Sequence, residues 1–441
     1  MSFWLLWITL ISIVLLGLMQ TAFVVWYLRG LRDPSQPIQP VDPDDAMPAV
    51  AVVLCLRGSD PSLVNCLRSL MQMDYPNFQL HLAFDDHDDP AVAVCRHQLK
   101  DRKNVVFHVN LDHGRDRSLK CSSIIATVLE LDEEIEVVAL VDADAVVQPD
   151  WLTRLVAPLR VTEVGASTGN RWFAPTAGGL GSTLRKVWNA AALPQMYSYN
   201  IAWGGSLAIR RDVIEKCELL DRWSTAFCED TMLTQRLKEH GLQVVRVPEL
   251  IVVNQESTTI RDALNWIRRQ LLTVRLYHGG WKLVLAHAVF GGLCLFGPPL
   301  VALYFLIQFQ LLKFIWVVIF AVMSQLFSFV LMLLIELANR RVIVARYENL
   351  EADRGSTETS PEEIEAHDLG PLVATPMGLV AFAMLQLLYP FLALGAASQQ
   401  LVRWRGISYR ILDRSRIEMI EYRPFAETLD PESTGTDRSI H

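Results

Sequence analysis

Three groups of acidic residues stand where carboxylates can do chemistry. Asp142 and Asp144 are two residues apart and directly follow a very apolar predicted strand at 135–141. Two carboxylates at a strand end can supply oxygen ligands to a divalent cation such as Mn²⁺ or Mg²⁺. A bound cation would neutralise a diphosphate and help it to leave. Two aspartates with this spacing also occur by chance in surface loops, but their position after a buried strand favours a metal site.

The second group, Asp85, Asp86, Asp88 and Asp89, follows a predicted strand at 78–84 and surrounds His87. A carboxylate at this place can accept hydrogen bonds from a nucleobase or a ribose. A solvated turn whose aspartates cap the next helix explains the same residues equally well.

The third group is Glu229 and Asp230, which precede a helical pattern at 232–240. One of these acids can act as a general base that takes a proton from an acceptor hydroxyl. Helix capping and interaction with the helix dipole are the alternative explanation, and spacing alone favours it. Lys120 lies in a polar turn and can contact a phosphate as a point charge, although most lysines face solvent.

These groups fall within a predicted domain at residues 49–260. From residue 49 to about residue 253 the sequence alternates between strand and helix patterns. Apolar runs at 49–56 and 135–141 are typical of buried parallel strands, and a helical spacing lies between them. This alternation predicts an α/β domain with a mostly parallel sheet. Ligands of such sheets bind at the carboxyl ends of the strands, where the acidic groups stand.

Long apolar blocks flank that domain. Residues 3–28 carry no charge and are long enough to cross a bilayer, so we predict a transmembrane helix at 1–30 and a linker at 31–48. Arg29 and Arg32 follow the helix and place the catalytic domain in the cytoplasm. An amphipathic interfacial helix is predicted at 261–282 and two transmembrane helices at 283–338. An acidic cytoplasmic loop at 339–370 begins with Arg340 and Arg341.

The last apolar block, at 371–402, raises a question of orientation. A single crossing would put Arg403 and Arg405 outside, against the positive-inside rule. We therefore predict a helix that is broken near Pro390 and re-enters on the same side, followed by a cytoplasmic tail at 403–441.

Composition narrows the function classes. The chain has 441 residues, a hydrophobic fraction of 51% and a formal net charge of −8, which argues against a nucleic-acid partner. Seven cysteines form no CxxC pair, so neither a zinc site nor a disulfide framework is expected: Cys55, Cys66, Cys95, Cys121, Cys217, Cys228 and Cys294. They are expected to be small buried side chains in a reducing compartment.

Together these motifs resemble inverting glycosyltransferases of the family 2 kind and, within them, the ceramide glucosyltransferases. The clearest matches are LRGSDPSL at 56–63, MDYP at 73–76 and DHDDPA at 86–91. The order of one membrane helix, a catalytic domain and further membrane helices also agrees, so the resemblance covers nearly the whole chain. It implies a Rossmann-like catalytic domain of the GT-A type, beside a helical membrane domain.

The resemblance assigns roles to single residues. It implies that Asp86 contacts the nucleotide, that Lys120 is the family's lysine, and that Asp142 and Asp144 hold the metal of a UDP-glucose complex. Asp230 matches the family's proposed base, with Glu229 beside it. Trp404 and Arg405 match the family's basic tail, and we count them among the donor-binding residues.

Two departures from the family pattern concern the acceptor side. The family's fourth motif begins with Gln or Arg, continues with any two residues and ends with Arg-Trp. If Arg269 is the first residue of the motif, this chain has Leu272 and Thr273 in place of Arg-Trp. Counted from Leu272, Arg275 matches, which makes it our candidate for the leaving-group or acceptor side. Leu193 replaces the histidine of a His-Pro pair.

The sequence thus predicts a hexosyltransferase that moves glucose from UDP-glucose to the primary hydroxyl of a membrane lipid, with ceramide as the expected acceptor. Diacylglycerol, a carotenoid or a polyprenyl phosphate are alternative acceptors. A processive polysaccharide synthase and a membrane scaffold without activity are rival functions.

Overall fold

The computed structural model describes residues 2–31, 47–175, 178–354 and 369–425, without the side chains of 347–354. Most of the predicted linker and part of the predicted acidic loop lie outside these residues. The strands are β1 (Val50–Leu56), β2 (Phe78–Phe84), β3 (Val105–Val109), β4 (Val137–Val141), β5 (Val164–Phe173), β6 (Ser206–Arg210), β7 (Gln243–Asn254), β8 (Leu401–Trp404), β9 (Ile407–Asp413) and β10 (Arg416–Glu421). The helices are α1 (Ser2–Gly30), α2 (Leu63–Met71), α3 (Pro90–Leu99), α4 (Leu119–Leu129), α5 (Trp151–Val156), α6 (Leu180–Tyr199), α7 (Arg211–Lys216), α8 (Leu219–Trp223), α9 (Leu233–Glu239), α10 (Ile260–Tyr277), α11 (Trp281–Ile307), α12 (Leu311–Arg354) and α13 (Pro376–Ser398).

The larger sheet has seven strands in the order β3-β2-β1-β4-β6-β5-β7. Only β6 runs antiparallel to its neighbours, so the predicted α/β domain with a mostly parallel sheet is confirmed. The continuous apolar runs follow from burial on both faces. Val52 and Leu54 of β1 pack into one core, whereas Ala51 and Val53 pack into the core on the opposite face.

Among the residues that the structure describes, four helices are long and apolar enough to cross a membrane: Ser2–Gly30, Trp281–Ile307, Leu311–Arg346 and Pro376–Ser398. Large apolar side chains such as Trp4, Leu293 and Leu312 face outward from them. Such surfaces are typical of a membrane protein, because water would expose an extended apolar area.

Helix α12 differs from the prediction. It continues to Arg354, so the first half of the predicted acidic loop is helical. No glycine or proline interrupts this segment. Buried Glu336 also stabilises it, because Glu336 pairs with Arg340 one turn later and with Lys186 of α6.

Helix α13 runs without a break through Pro390, so the predicted break at this proline is absent. Near its start, Thr183 of α6 donates a hydrogen bond to the sulfur of Met377. At its end, Arg275 of α10 donates hydrogen bonds to the carbonyl groups of Ala396 and Ala397. Both ends of α13 therefore contact helices next to the sheet. That α13 enters and leaves the membrane on the same side stays a prediction.

The first part of the segment predicted as a tail folds instead into a three-stranded sheet, in the order β10-β9-β8, and residues 426–441 lie outside the described residues. Alternate residues of β9, namely Ile407, Tyr409 and Ile411, are buried. They form a core with Leu119 and Phe227 of the larger domain. The alternation of apolar and polar residues thus reflects a half-buried sheet that packs onto the larger α/β domain.

Candidate active site

One cavity of about 1520 Å³ extends from the carboxyl ends of the central strands to the membrane helices. Its wall near the sheet includes Asp60, which follows β1, and Asp142 and Asp144, which follow β4. Glu229 and Asp230 line the same region. Residues that are far apart in the sequence meet here because parallel strands end at a common edge.

Lys120, in the first turn of α4, connects two of these acids. Its Nζ lies 2.8 Å from Asp142 Oδ1 and 2.7 Å from Glu229 Oε1. Burial alone would lower the pKa of the Lys120 ammonium, but the two carboxylates raise its pKa well above the usual value. The ammonium is therefore charged and holds both carboxylates in place.

Asp144 has a different environment from Asp142. Asn254 Nδ2 donates a hydrogen bond of 2.5 Å to Asp144 Oδ2. Burial raises the pKa of Asp144 to about 6, and the negative charge of Asp142 adds to the shift. Burial would also raise the pKa of Asp142, but Lys120 outweighs it, and the pKa of Asp142 lies below its usual value. Two half-buried carboxylates that lie close together make a site that gains from a cation.

Glycine at 204 and 205 lets the backbone approach the acids. The Gly204 amide donates a hydrogen bond of 2.8 Å to Asp230 Oδ2. A Cβ atom at Gly204 would collide with Glu229 Oε1, and one at Gly205 would collide with the Trp203 ring and Asp142 Oδ2. A larger residue at either position would therefore have to displace these side chains.

Arginines balance the acidic charge. The Arg171 guanidinium lies 5.0 Å from the ring centre of Trp203 and 4.8 Å from that of Trp266. The Arg269 guanidinium of α10 lies 4.7 Å from the ring centre of Trp404. Burial lowers the pKa of Arg269 to about 10, opposed by Asp142. Both cations are thus held on aromatic rings in the cavity wall, where an anionic ligand can meet them.

The turn between β8 and β9 enters the same wall. Arg405 and Gly406 both have positive φ, 49° and 80°, as a two-residue hairpin turn of type I′ requires. Arg405 donates a hydrogen bond of 3.1 Å to Asp60, and its carbonyl accepts one of 2.9 Å from Arg57 Nε. The hairpin is thereby fixed to the end of β1.

The chain after β10 lies on the same strand end. The Arg57 guanidinium, which forms an ion pair with buried Asp85, is 5.6 Å from the ring centre of Tyr422 and 5.9 Å from that of Phe425. Tyr422 also donates a hydrogen bond of 3.1 Å to the Asp85 carbonyl. The C-terminal segment thus completes the wall at β1 and β2.

The sequence profile of glycosyl transferase family 21 matches residues 9–417. The chain belongs to this family. Among curated proteins, ceramide glucosyltransferase 1 of Caenorhabditis elegans is 21% identical over 229 residues, which are 51% of this chain and 49% of that protein. The chain therefore spans about half the length of the curated relative that it matches.

Solved structures give weaker similarities. The mannosyltransferase PcManGT from Pyrobaculum calidifontis, in complex with GDP-Man and Mn²⁺, has a TM-score of 0.45 and 14% identity, and the match covers 88% of this chain and 98% of that one. Glucosyl-3-phosphoglycerate synthase from Mycobacterium tuberculosis, with Mn²⁺ and UDP-glucose, has a TM-score of 0.36 and 18% identity, covering 53% and 81%.

In this family 21 chain, the cavity brings together most of the site residues predicted from the sequence. They are Lys120, Asp142, Asp144, Glu229, Asp230, Trp404 and Arg405. Their roles stay predictions, because the arrangement fixes their positions and not their chemistry.

Two predicted residues are not on the cavity wall. The Asp86 side chain accepts a hydrogen bond from the Asp88 amide in a turn, and its neighbour Asp85 lines the cavity instead. Both residues lie after the end of β2, where the chain bends, and only Asp85 faces the cavity. Arg275 caps the carbonyl end of α13, and Arg269 of the same helix faces the cavity.

Arg57, Asp60 and Arg171 were not predicted. Arg57 and Asp60 follow β1, so the search after strand ends that selected Asp142 also applies to them. Asp85 was part of the predicted acidic group, and Arg269 is the first residue of the family's fourth motif, but neither was chosen as a site residue. No comparable signal marks Arg171, because its partner Trp266 is distant in sequence.

The residues present fit a divalent cation. The described residues contain no cluster of three or more His, Cys, Asp or Glu side chains placed to hold a metal. Asp142 and Asp144 supply two carboxylates, and Asp60 and Glu256 add negative charge that raises the pKa of Asp144 further. A Mg²⁺ or Mn²⁺ ion is commonly bound by one or two carboxylates together with substrate phosphates and water.

Proposed function

We propose that this family 21 chain transfers glucose from UDP-glucose to the primary hydroxyl of a membrane lipid, with ceramide as the acceptor. The observation that carries the proposal is the single cavity, which joins the acids at Asp142, Asp144 and Asp230 to the membrane helices. A lipid whose chains lie among those helices can bring its hydroxyl to Asp230 without leaving the bilayer. A water-soluble acceptor needs no such opening.

The donor side is formed by Asp142 and Asp144, which would hold Mn²⁺ or Mg²⁺. When bound, the ion would neutralise the charge of the diphosphate and make it a better leaving group. Arg269 and Arg171 lie on the same wall and would attract the same anionic group. We assign the nucleoside to the region of Arg57 and Asp85, which form an ion pair at the ends of β1 and β2.

The acceptor side centres on Asp230. Hydrogen bonds from the Gly204 amide and the Thr231 hydroxyl orient its carboxylate. Glu229 is buried and paired with Lys120, so Asp230 is the freer acid to take a proton. Asp230 removes the proton of the lipid hydroxyl, the hydroxyl oxygen bonds to the anomeric carbon, and the bond from that carbon to the diphosphate breaks. One such displacement inverts the anomeric centre and gives a β-glycoside.

Family membership and the similarity to half of a ceramide glucosyltransferase support sugar transfer and a ceramide-like acceptor. Arg29, Arg340 and Arg341 next to the membrane helices support a catalytic domain on the cytoplasmic face. Diacylglycerol, a carotenoid and a polyprenyl phosphate are the acceptors against which ceramide has to be tested.

The test uses the purified full chain in detergent with Mn²⁺ and radiolabelled UDP-glucose. Ceramide and diacylglycerol are offered separately, and the extracted lipids are resolved by chromatography. We expect label on ceramide, and its loss in Asp230→Asn. Asp88→Asn is the matched control, because Asp88 is an exposed acid outside the cavity wall. Label on diacylglycerol alone would overturn the acceptor, and no transfer to any lipid would overturn the function.

A further inference from the structure

The membrane half of the cavity carries polar side chains from every helix that can cross the bilayer. Gln20 of α1, His287 of α11, Ser328 of α12, and Gln386 and Tyr389 of α13 all line it. Polar side chains inside membrane helices are costly, and they usually mark a site of function. Sugar transfer at the sheet end of the cavity does not use them.

His287 and Tyr389 form the most informative pair. The Tyr389 hydroxyl lies 3.5 Å from the Val284 carbonyl, to which it donates, and 3.3 Å from His287 Nδ1. We assign the tautomer with the proton on Nδ1, in which His287 donates to a lone pair of the Tyr389 oxygen while the Tyr389 hydroxyl donates to the Val284 carbonyl. In the neutral ring Nε2 is then an acceptor.

The acceptor at Nε2 has no partner. Nε2 of His287 is buried, and the residues that the structure describes offer it no hydrogen bond. Ser328, in contrast, donates a hydrogen bond of 2.8 Å to Gln20 Oε1. A buried acceptor without a partner costs free energy, which a ligand recovers when it brings a donor.

The ring of His287 is fixed in place. Phe23 of α1 contacts it edge-on with ring centres 6.2 Å apart. Trp188 of α6 packs edge-on against Tyr389 at 5.5 Å. Both side chains of the pair are therefore braced by the helices around the cavity, so Nε2 keeps one direction.

We propose that His287, oriented by Tyr389, is a subsite in the membrane half of the cavity that accepts a hydrogen bond from the polar linkage of the acceptor lipid. The lipid class that fits carries an amide N–H or a second hydroxyl at the level of its linkage to the chains. Ester-linked lipids with one hydroxyl offer only further acceptors there and fit poorly. This subsite rests on the proposed function, because it selects the lipid that receives the sugar.

The experiment compares His287→Phe with wild type on ceramide, N-methylated ceramide and diacylglycerol, using the full chain in detergent. We expect His287→Phe to lower kcat/KM for ceramide about tenfold or more, because a buried hydrogen bond is lost. For N-methylated ceramide and diacylglycerol, kcat/KM stays within about twofold of wild type. His97→Phe, an exposed histidine outside the cavity, is the matched control and should change nothing.

An equal loss on all three lipids, or no loss on ceramide, overturns the subsite. Tyr389→Phe is the second variant, for the case in which His287→Phe does not fold. It removes the oxygen that accepts the hydrogen bond from Nδ1, so the orientation of the ring is lost. This variant should also reduce the preference for ceramide over its N-methylated form. Melting temperatures of wild type and His287→Phe with each lipid give a readout without sugar. If wild type transfers to no lipid, the function fails, and the subsite stands only if ceramide stabilises wild type more than His287→Phe.

Discussion

Replacement of Lys120 by methionine tests whether this lysine holds the acidic centre together. Lys120 lies between Asp142 and Glu229, and only 3% of the Glu229 side chain is exposed. The variant leaves Glu229 buried and unpaired, whereas Asp142 keeps the charges of Arg171 and Arg269 nearby.

Breaking a buried ion pair by removing one partner costs about 3–5 kcal/mol. For a domain of this size, a loss of about 4 kcal/mol lowers the melting temperature by roughly 10 °C. Thermal unfolding of the full chain in detergent, followed by tryptophan fluorescence, measures that shift. Lys103→Met is the matched control, because Lys103 is exposed.

The double variant Lys120→Met, Glu229→Gln separates charge from packing. With Glu229 neutral, no charge is left buried without a partner at this place, so we expect more than half of the lost stability to return. A Lys120→Met variant that melts within about 2 °C of wild type would refute the reasoning. A double variant less stable than Lys120→Met would do the same.

Three further predictions concern the site. The pKa of Asp144 is about 6, and only the ionised acid binds metal. The Mn²⁺ concentration for half-maximal activity should therefore rise about tenfold for each pH unit below 6. Asp144→Asn should lose this pH dependence. Gly205→Ala pushes a methyl group onto the neighbouring carboxylate and should lower kcat about a hundredfold, whereas Gly291→Ala, with open space around it, should keep wild-type kcat. Arg269→Ala should lower kcat/KM at least about tenfold, but Arg275→Ala should lower the melting temperature and leave kcat/KM within about twofold, as steady-state kinetics and thermal unfolding will show.

The sheet and its acidic edge were predictable because their signals are local. Strand β2 begins and ends at the predicted residues, since a buried strand needs a short apolar run between polar turns. Lys120, Asp142 and Glu229 meet because chain order and strand direction already place them at one edge of the sheet.

The arginines of α10 show where the sequence stops being sufficient. Arg269 and Arg275 are six residues apart, which separates their side chains by about 120° around the helix. Only the packing of α10 against α13 decides which one faces the cavity. The C-terminal sheet was not predicted for a similar reason. The residues that it packs against, Leu119 and Phe227, lie far earlier in the sequence.

Because the hairpin turn at Arg405 forms part of the cavity wall, completion of that wall depends on the order in which the chain is synthesised. A ribosome makes Asp60 early and Arg405 late, and all four membrane-crossing candidates are complete before Arg405 emerges. The contacts of Arg405 with Arg57 and Asp60 therefore form only after the membrane helices have been synthesised. A chain interrupted during insertion keeps its carboxylates but lacks this part of the cavity wall.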